Sequence, residues 1–309
     1  MQSRHLWIVL SAGVQTLSLR WCTDGQVFYC SRGLMGNAYK LKKRRNLMDL
    51  GLKGKVALVT GANRGIGLAT ALGLATEGCD IGICARGEDG LRAATKQIEK
   101  LGVRVSAITA DVLKPDDASR FVEEAVAQLG GIDILINNVG ANVGGRGLLD
   151  STDEDWERTF HYNVFQGVRL ARLVVPHMRK RGGGSVVFLS SVSGWIPQLS
   201  GSLQYGASKA AQIFMAEPLA LQLVQERIRV NVVSPGSILF KDGGWDTYRL
   251  NEPEKYAAYV KDGFPMGRLG TPEEVADVAV FLASDRSRWV NGANVRVDGL
   301  EQPVAAERS

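Results

Sequence analysis

The sequence predicts an α/β fold, a single doubly wound parallel sheet with helices on both faces. Three observations carry that expectation. From Lys55 onward, short β-rich apolar runs alternate with longer stretches of helical periodicity. The short runs are apolar on both faces, as a strand covered by helices above and below requires. No repeat, linker or shift of composition divides residues 48–309, so they are expected to form one domain.

Size and charge agree with this. With 309 residues, 45% of them hydrophobic, the chain can bury one substantial core; its composition excludes a disordered, collagen-like or disulfide-scaffold protein. The formal charge of +5 is concentrated at one end. Residues 1–47 hold eight basic residues against Asp24 alone, whereas residues 48–309 hold 29 basic and 31 acidic ones. A body this close to neutral argues against a nucleic-acid binder and leaves a small molecule as the expected partner.

Residues 1–47 are expected to be a basic leader, disordered or outside the fold. The apolar stretch Leu6–Leu19 is interrupted by Ser11, Gln15, Thr16 and Ser18 and falls short of the ~20 apolar residues that a membrane span needs. Arg4 ahead of it suits a secretory signal, but no small-x-small cleavage site follows. An Arg-rich, acid-poor leader also suits an organelle presequence. Because periodicity begins only after Met48, the fold is expected to start there, with an upstream extension before it. The run Lys40–Arg45 reads as a solvated basic tail.

Cys22 and Cys30 lie in the leader, Cys79 and Cys84 in the body, and neither pair has C-x-x-C spacing. With His5, His161 and His177 the only histidines, no zinc motif assembles and no metal is expected. Cys79 and Cys84 flank an apolar run and read as buried thiols in a reducing, cytoplasmic setting.

In chain order, strands are expected at Val56–Thr60, Asp80–Ala85, Val103–Thr109, Ile132–Asn137, Ser185–Ser190, Arg229–Val233 and Asn294–Val297. Helices between them make each crossover right-handed. A first helix is read over Leu68–Ala75, with long ones near 163–178 and 205–226. Thr271-Pro272-Glu273-Glu274 offers an N-cap, a proline at the first helical position and a glutamate to close a capping box. Val275, Val278, Ala279 and Leu282 then recur at helical spacing.

The first strand runs into Thr60-Gly61-Ala62-Asn63-Arg64-Gly65-Ile66-Gly67. Gly61 permits a tight turn, Gly65 a close approach of backbone to a pyrophosphate, and Gly67 close packing of helix on strand. The helix start then offers unpaired N–H groups and a positive dipole end, the elements of a Rossmann-type dinucleotide site. An acid closing the second strand would hold the ribose 2′-hydroxyl of NAD. Here that strand ends in Ala85-Arg86, and Glu88 and Asp89 come too late. Arg86 and Arg64 together favour the 2′-phosphate of NADP, with NAD the lesser alternative.

Downstream, Tyr205-Gly206-Ala207-Ser208-Lys209 sets a phenol and an ammonium one helical turn apart if Tyr205 opens a helix. Free tyrosine, with a pKa of ~10, is a poor base and a slow acid at neutral pH. Lowering it by ~2 to 3 units takes ~3 to 4 kcal/mol of phenolate stabilisation. A cation at ~4 Å supplies ~1 kcal/mol in water and up to ~4 near a protein surface, while desolvation opposes it. Ser190-Ser191-Val192-Ser193-Gly194 places a hydroxyl at a strand end, where it can bind a carbonyl oxygen as charge develops there. Asn137-Asn138-Val139-Gly140 closes another strand at the edge where parallel sheets open their ligand crevice.

The ordered set Thr-Gly-x-x-x-Gly-x-Gly, Asp111-Val112, Asn-Asn-x-Gly, Asn163, Ser191, Tyr-x-x-x-Lys and Ser234-Pro235-Gly236 resembles the short-chain dehydrogenase/reductase family, in its 3-oxoacyl-[acyl-carrier-protein] reductase-like form. The resemblance spans about Leu52 to Leu300. It implies that Tyr205 is the acid/base, that Lys209 lowers its pKa and binds the nicotinamide ribose, that Ser191 polarises the carbonyl, and that Asn163 holds a water in a relay to Lys209. It further implies that Asp111 contacts adenine, Asn138 the ribose side and the Ile238 backbone the carboxamide. Asn63, Ile66, Val112, Gly140, Pro235 and Gly236 join the cofactor-lining positions.

The implied activity is an NADP-dependent oxidoreductase moving hydride between nicotinamide and a ketone or secondary alcohol. The alternatives are an NAD-dependent sugar, steroid or polyol dehydrogenase of the same fold, or an NADP-binding protein without turnover, which the intact Asn–Ser–Tyr–Lys set disfavours. A homotetramer or homodimer through the two long helices is also implied.

Several positions depart from the family pattern. Val139 replaces alanine, Phe240 a carboxamide-binding threonine, and Leu300 the last glycine of Asp-Gly-Gly. Ser193 competes with Ser191, which is preferred because it precedes the x-x-Gly turn. Substrate contacts are expected from Trp195–Gln204, with Trp195, Ile196 and Leu199, and from Ser237–Pro265, with Phe240, Trp245, Tyr248 and Tyr256. These aromatics either face substrate or pack a lid onto the body. Gly243, Gly244 and Gly263 are its candidate hinges.

Overall fold

The computed structural model describes residues 5–8, 17–21, 27–30, 49–197 and 202–302, the three short leader segments in backbone only. Residues 1–48 and 49–309 form two separate units. In the first, strands β1 (His5–Ile8), β2 (Leu17–Trp21) and β3 (Val27–Cys30) pair antiparallel in the order β1-β2-β3, where the sequence predicts no element. Leu199 lies outside the described residues.

The second unit is a seven-stranded, all-parallel sheet of β4 (Val56–Thr60), β5 (Asp80–Ala85), β6 (Val105–Thr109), β7 (Ile134–Asn137), β8 (Gly184–Leu189), β9 (Ile228–Pro235) and β10 (Asn294–Val297). Their spatial order is β10-β9-β8-β7-β4-β5-β6. The order reverses between β4 and β7, and a doubly wound sheet opens its ligand crevice at that point.

Alternation along each strand feeds two cores. Ala57, Val59, Ile81, Ile83, Ile134, Ile136 and Val187 face one side, under α1 (Gly65–Thr76), α2 (Glu88–Glu99) and α9 (Pro272–Ala283). Leu58, Leu135, Val186, Phe188, Val230 and Val232 face the other, under α3 (Pro115–Leu129), α5 (Gln166–Arg181) and α6 (Leu203–Leu223). The doubly apolar strands are therefore the cause of the three-layer architecture.

Element boundaries depart locally from expectation. β6 starts at Val105 rather than Val103 because the Asp80 carboxylate takes the Arg104 N–H (2.8 Å) and pairs with its guanidinium. β9 runs two residues further, Ser234 and Pro235 pairing with Arg296 and Val297 of β10. α1 begins at Gly65, three residues early, and α6 at Leu203, capped by the Ser202 hydroxyl, which accepts the Tyr205 N–H. Tyr205 therefore sits in the first turn rather than opening it. The Thr271–Glu274 capping box forms as the sequence predicts.

Between α4 (Asp153–Phe160) and α5 the helix widens into one π turn, His161–Phe165. Such insertions re-aim side chains, and this one carries Asn163. α7 (Gly244–Asn251) and α8 (Pro253–Gly263) form a small lid with its own aromatic cluster. Trp245 stacks on Tyr259 at 4.8 Å, and Tyr248 and Tyr256 meet edge to face. These lid aromatics pack on one another, and Gly243 is the N-cap of α7.

Candidate active site

The carboxyl ends of β4 to β7 surround a cleft of about 310 Å³. It gathers Gly61, Asn63, Arg64, Gly65, Ile66 and Gly67 from the first turn, Arg86 from the end of β5, Asp111 and Val112 after β6, and Asn138 and Gly140 after β7. Tyr205, Lys209, Pro235, Gly236 and Ile238 are not in its lining. Tyr162 and Ala141 line it without having been anticipated; Tyr162 is the neighbour of Asn163 in the π turn, and no local signal marks it.

The cleft suits an anionic dinucleotide on physical grounds. The first intrahelical bond of α1 runs from Leu68 N–H to Arg64 O, so the N–H groups of Gly65, Ile66 and Gly67 precede any helical acceptor. α2, α3, α4 and α9 carry carboxylates in their first turns; α1 carries none, leaving its positive end to a ligand. Gly61 takes φ +63°, and a Cβ at Gly67 would lie 2.5 Å from the Gly61 carbonyl oxygen. The Phe240 ring lies over Gly65, closing the cleft from the lid side.

Two cations stand at its edges. Arg64 donates to the Asp242 carbonyl at 2.9 Å, and Arg86 lies 3.4 Å from the Tyr162 hydroxyl. Glu88 and Asp89, in the first turn of α2, face Arg92 instead. The Asp111 carboxylate accepts the Leu113 N–H, making a local turn. The Asn138 amide donates to the Thr60 (2.8 Å) and Gly61 (3.3 Å) carbonyls, so it braces the glycine turn as well as lining the cleft. Ile238 bridges to Gly270 through bonds made by Ser237 and Leu239, which leaves its own N–H and C=O outside that bridge.

Beside the cleft, α6 and the end of β8 bring the catalytic candidates together. Desolvation raises the pKa of the Tyr205 phenol, and the Ser191 hydroxyl pulls it back. The Ser193 N–H donates to Ser191 Oγ at 3.1 Å, and Ser190 Oγ donates to the Lys209 carbonyl at 2.8 Å. Ser191 is therefore the serine that meets the phenol, and its two neighbours support the arrangement.

Lys209 is 2% exposed, with its Nζ 5.6 Å from the Tyr205 ring centre. Nζ donates to the Leu189 carbonyl (2.8 Å) and to Gln212 Oε1 (3.0 Å). Burial draws the ammonium down to about 7. Asn163, fully buried, grips Ala141 from both sides: its Nδ2 donates to Ala141 O (2.8 Å) and its Oδ1 accepts the Ala141 N–H (3.1 Å). Its own carbonyl accepts from Gln212 Nε2 at 2.6 Å. Gly140 packs against this cluster so closely that a Cβ there would lie 2.9 Å from Lys209 Nζ.

Cys84 lines the cleft, but burial pushes its thiol, like that of Cys79, up to about 12, so both stay neutral and unpaired. Among the described residues, no group of His, Cys, Asp and Glu is arranged to hold a metal ion, and no helix is long and apolar enough to cross a membrane.

A crevice at the switch point, an open helix start and a Ser–Tyr–Lys cluster define an oxidoreductase that uses a nicotinamide dinucleotide on alcohol and ketone groups. The chain belongs to the short-chain dehydrogenase/reductase family, and the family model described as Enoyl-(Acyl carrier protein) reductase matches residues 61–299. It is 35% identical over 250 residues to Dehydrogenase/reductase SDR family member 4 of Sus scrofa, covering 80% of this chain and 87% of the relative. To a 3-oxoacyl-[acyl-carrier-protein] reductase of Thermotoga maritima it is 38% identical over 249 residues, covering 80% and 98%.

Among solved structures, L-sorbose reductase from Gluconobacter frateurii, complexed with NADPH and L-sorbose, superposes with a TM-score of 0.77 at 35% identity, covering 84% of this chain and 100% of that one. A 7 alpha-hydroxysteroid dehydrogenase, complexed with NADH and 7-oxo glycochenodeoxycholic acid, gives 0.76 at 31% identity, covering 83% and 97%.

Proposed function

We propose that this chain is an NADP-dependent carbonyl reductase of the 3-oxoacyl-thioester-reductase kind, with Tyr205 as its acid/base. The observation that carries the reading is the half-buried Tyr205, whose phenol is drawn down by the Ser191 hydroxyl and whose ring lies 5.6 Å from the Lys209 ammonium. The bound nicotinamide supplies hydride chemistry. Ser191 binds and polarises the substrate carbonyl oxygen. Tyr205, kept protonated by its burial, gives that oxygen its proton in reduction and takes it back in oxidation. The Lys209 cation stabilises the phenolate left behind. Asn163 holds the loop after β7 and offers its carbonyl to the relay.

For the cofactor, Gly61, Asn63, Gly65, Ile66 and Gly67 cradle the pyrophosphate, Asp111 and Val112 flank the adenine, and Asn138 and Gly140 line the nicotinamide half, with Pro235, Gly236 and Ile238 meeting it beyond the cleft. Arg64 and Arg86 are the 2′-phosphate ligands. Support for NADP is the absence of a carboxylate at the end of β5 and the presence of these two guanidinium groups at the cleft's edge. A second reading, an NAD-dependent steroid, sugar or polyol dehydrogenase, draws on the steroid enzyme that binds NADH and is similar to this chain.

The test is turnover with NADPH and with NADH against a panel holding a β-ketoacyl thioester, a 7-oxosteroid and L-sorbose. A higher kcat/KM with NADPH is expected, together with loss of that preference in Arg64→Ala and Arg86→Ala. Preference for NADH overturns the cofactor reading; no turnover of any carbonyl overturns the enzyme.

A cytoplasmic homodimer or homotetramer is part of the same proposal. Phe165, Phe214, Leu221 and Val224, on the π turn, α6 and the turn after it, leave an exposed apolar face that a second copy would cover. The leader is proposed to lie outside the catalytic domain. Light scattering on full-length and leader-deleted protein tests both points: a monomer overturns the first, and an inactive truncated protein the second.

A further inference from the structure

We infer that Gln212 is a positioning residue of this reaction: its side-chain amide joins the Lys209 ammonium to the Asn163 main-chain carbonyl and so holds the cation beside Tyr205. Gln212 lies three residues beyond Lys209 on α6 and is fully buried. Its Oε1 accepts from Lys209 Nζ at 3.0 Å and its Nε2 donates to Asn163 O at 2.6 Å. The amide can take only this orientation, since an ammonium only donates and a carbonyl only accepts.

The physical need is clear from what surrounds Lys209. Among the described residues, no carboxylate faces it from β7, β8, β9 or the π turn and the one titratable group beside it is the Tyr205 phenol; burial is the cause of its lowered pKa. An ammonium buried without a counter-ion keeps its charge only through acceptors. Two of its three N–H bonds are taken, by Leu189 O and by Gln212 Oε1. Leu189 O is strand backbone that any sequence would provide. Gln212 is the side chain that keeps the cation charged. Because an amide nitrogen donates to the π turn, the same group ties Lys209 to the loop that Asn163 holds. Unlike a hydroxyl or a water, an amide does not readily pass a proton on, so Gln212 fixes charge rather than conducting it.

This inference rests on the proposed function for its catalytic consequence, but its first readout needs no substrate. In protein labelled with ε-13C-lysine, the resonance lost in Lys209→Met isolates the ionisation of Lys209, which burial draws to about 7 in the parent. In a Gln212→Met background, where the ammonium loses an acceptor of its charge, that ionisation is expected to move down by about one pH unit. Gln212→Glu moves it up instead, because a carboxylate beside it favours the ammonium, and it serves if the methionine variant does not fold. On a turned-over substrate, kcat falls about tenfold in Gln212→Met while KM for the carbonyl and Kd for NADPH stay within about twofold. An unmoved Lys209 titration in a folded variant overturns the inference and reduces Gln212 to a packing residue, whatever the outcome of the substrate panel. Failure of the panel alone leaves this titration as the deciding measurement.

Discussion

The Glu301 carboxylate accepts both the backbone N–H of Ser237, at 2.6 Å, and its hydroxyl, at 2.9 Å, and takes a third bond from the Tyr259 phenol at 3.0 Å. One buried acid, two residues beyond Gly299, thereby joins the end of the described chain to the loop carrying Ile238 and to lid helix α8. Glu301→Ala removes a charged acceptor shared by three donors in a site only 3% exposed. The expected loss is about 3 kcal/mol by urea denaturation at unchanged m. A change under about 0.5 kcal/mol would show that the triad carries no weight.

Tyr205→Phe removes the proton donor and little else. Carbonyl reduction should fall by about 10² to 10⁴, the range of general acid catalysis, while NADPH binding followed by fluorescence stays near the parent value. A variant that keeps full activity excludes Tyr205 from the mechanism.

Burial of Lys209 has a thermodynamic sign that can be measured. Its folded pKa is about 7 against an ordinary 10.5, so between these values the unfolded chain binds a proton that the folded chain does not. Stability from this group therefore rises with pH above about 7, and its burial penalty is fully present below. Cys79 and Cys84 oppose it only above their ordinary value of 9.0, since their folded pKa values lie near 12. In the window from pH 7 to 9, Lys209→Met should flatten the slope of unfolding free energy against pH. The parent slope surviving in the variant would assign it to another group.

At the far side of the sheet, Glu274 is held down to about 2, first by its bond to Arg268 and then by the Thr271 N–H. Its contribution is present above the ordinary 4.5 and is lost as pH falls through about 2. Glu274→Ala should cost about 1 kcal/mol at pH 7, in keeping with the loss of a capping box, and the gap to the parent should close on acidification. A gap that stays constant down to pH 2 would point to packing rather than charge.

How much of this was legible in the sequence follows from the range of each interaction. Val56–Thr60 and Asp80–Ala85 are strands to the residue, because a run apolar on both faces has few other places to go; Asn294–Val297 is one too, an edge strand legible from its polar–apolar alternation. The Thr271–Glu274 cap is legible because all its partners lie within one turn. The cofactor cleft follows the glycine spacing for the same reason. What stayed hidden depends on distant partners. Gln212 meets a carbonyl 49 residues away and has no local signature; Arg64 is legible in the glycine turn, but its bond to a carbonyl 178 residues away is not. The π turn is hidden too, since His161–Phe165 has the same apolar pattern as the α-helices on either side. The lid aromatics looked equally able to face a ligand or one another, and only the stacking of Trp245 on Tyr259 distinguishes the two.

Gly67 stands where three pieces of backbone and side chain converge. A single added methyl would press on the Gly61 oxygen and, at 2.6 Å, on the Asn138 amide nitrogen. Relief would come only by lifting α1 from the sheet, swinging its electropositive tip off target. The aim of the whole catalytic apparatus thus rests on one carbon that evolution cannot afford to add.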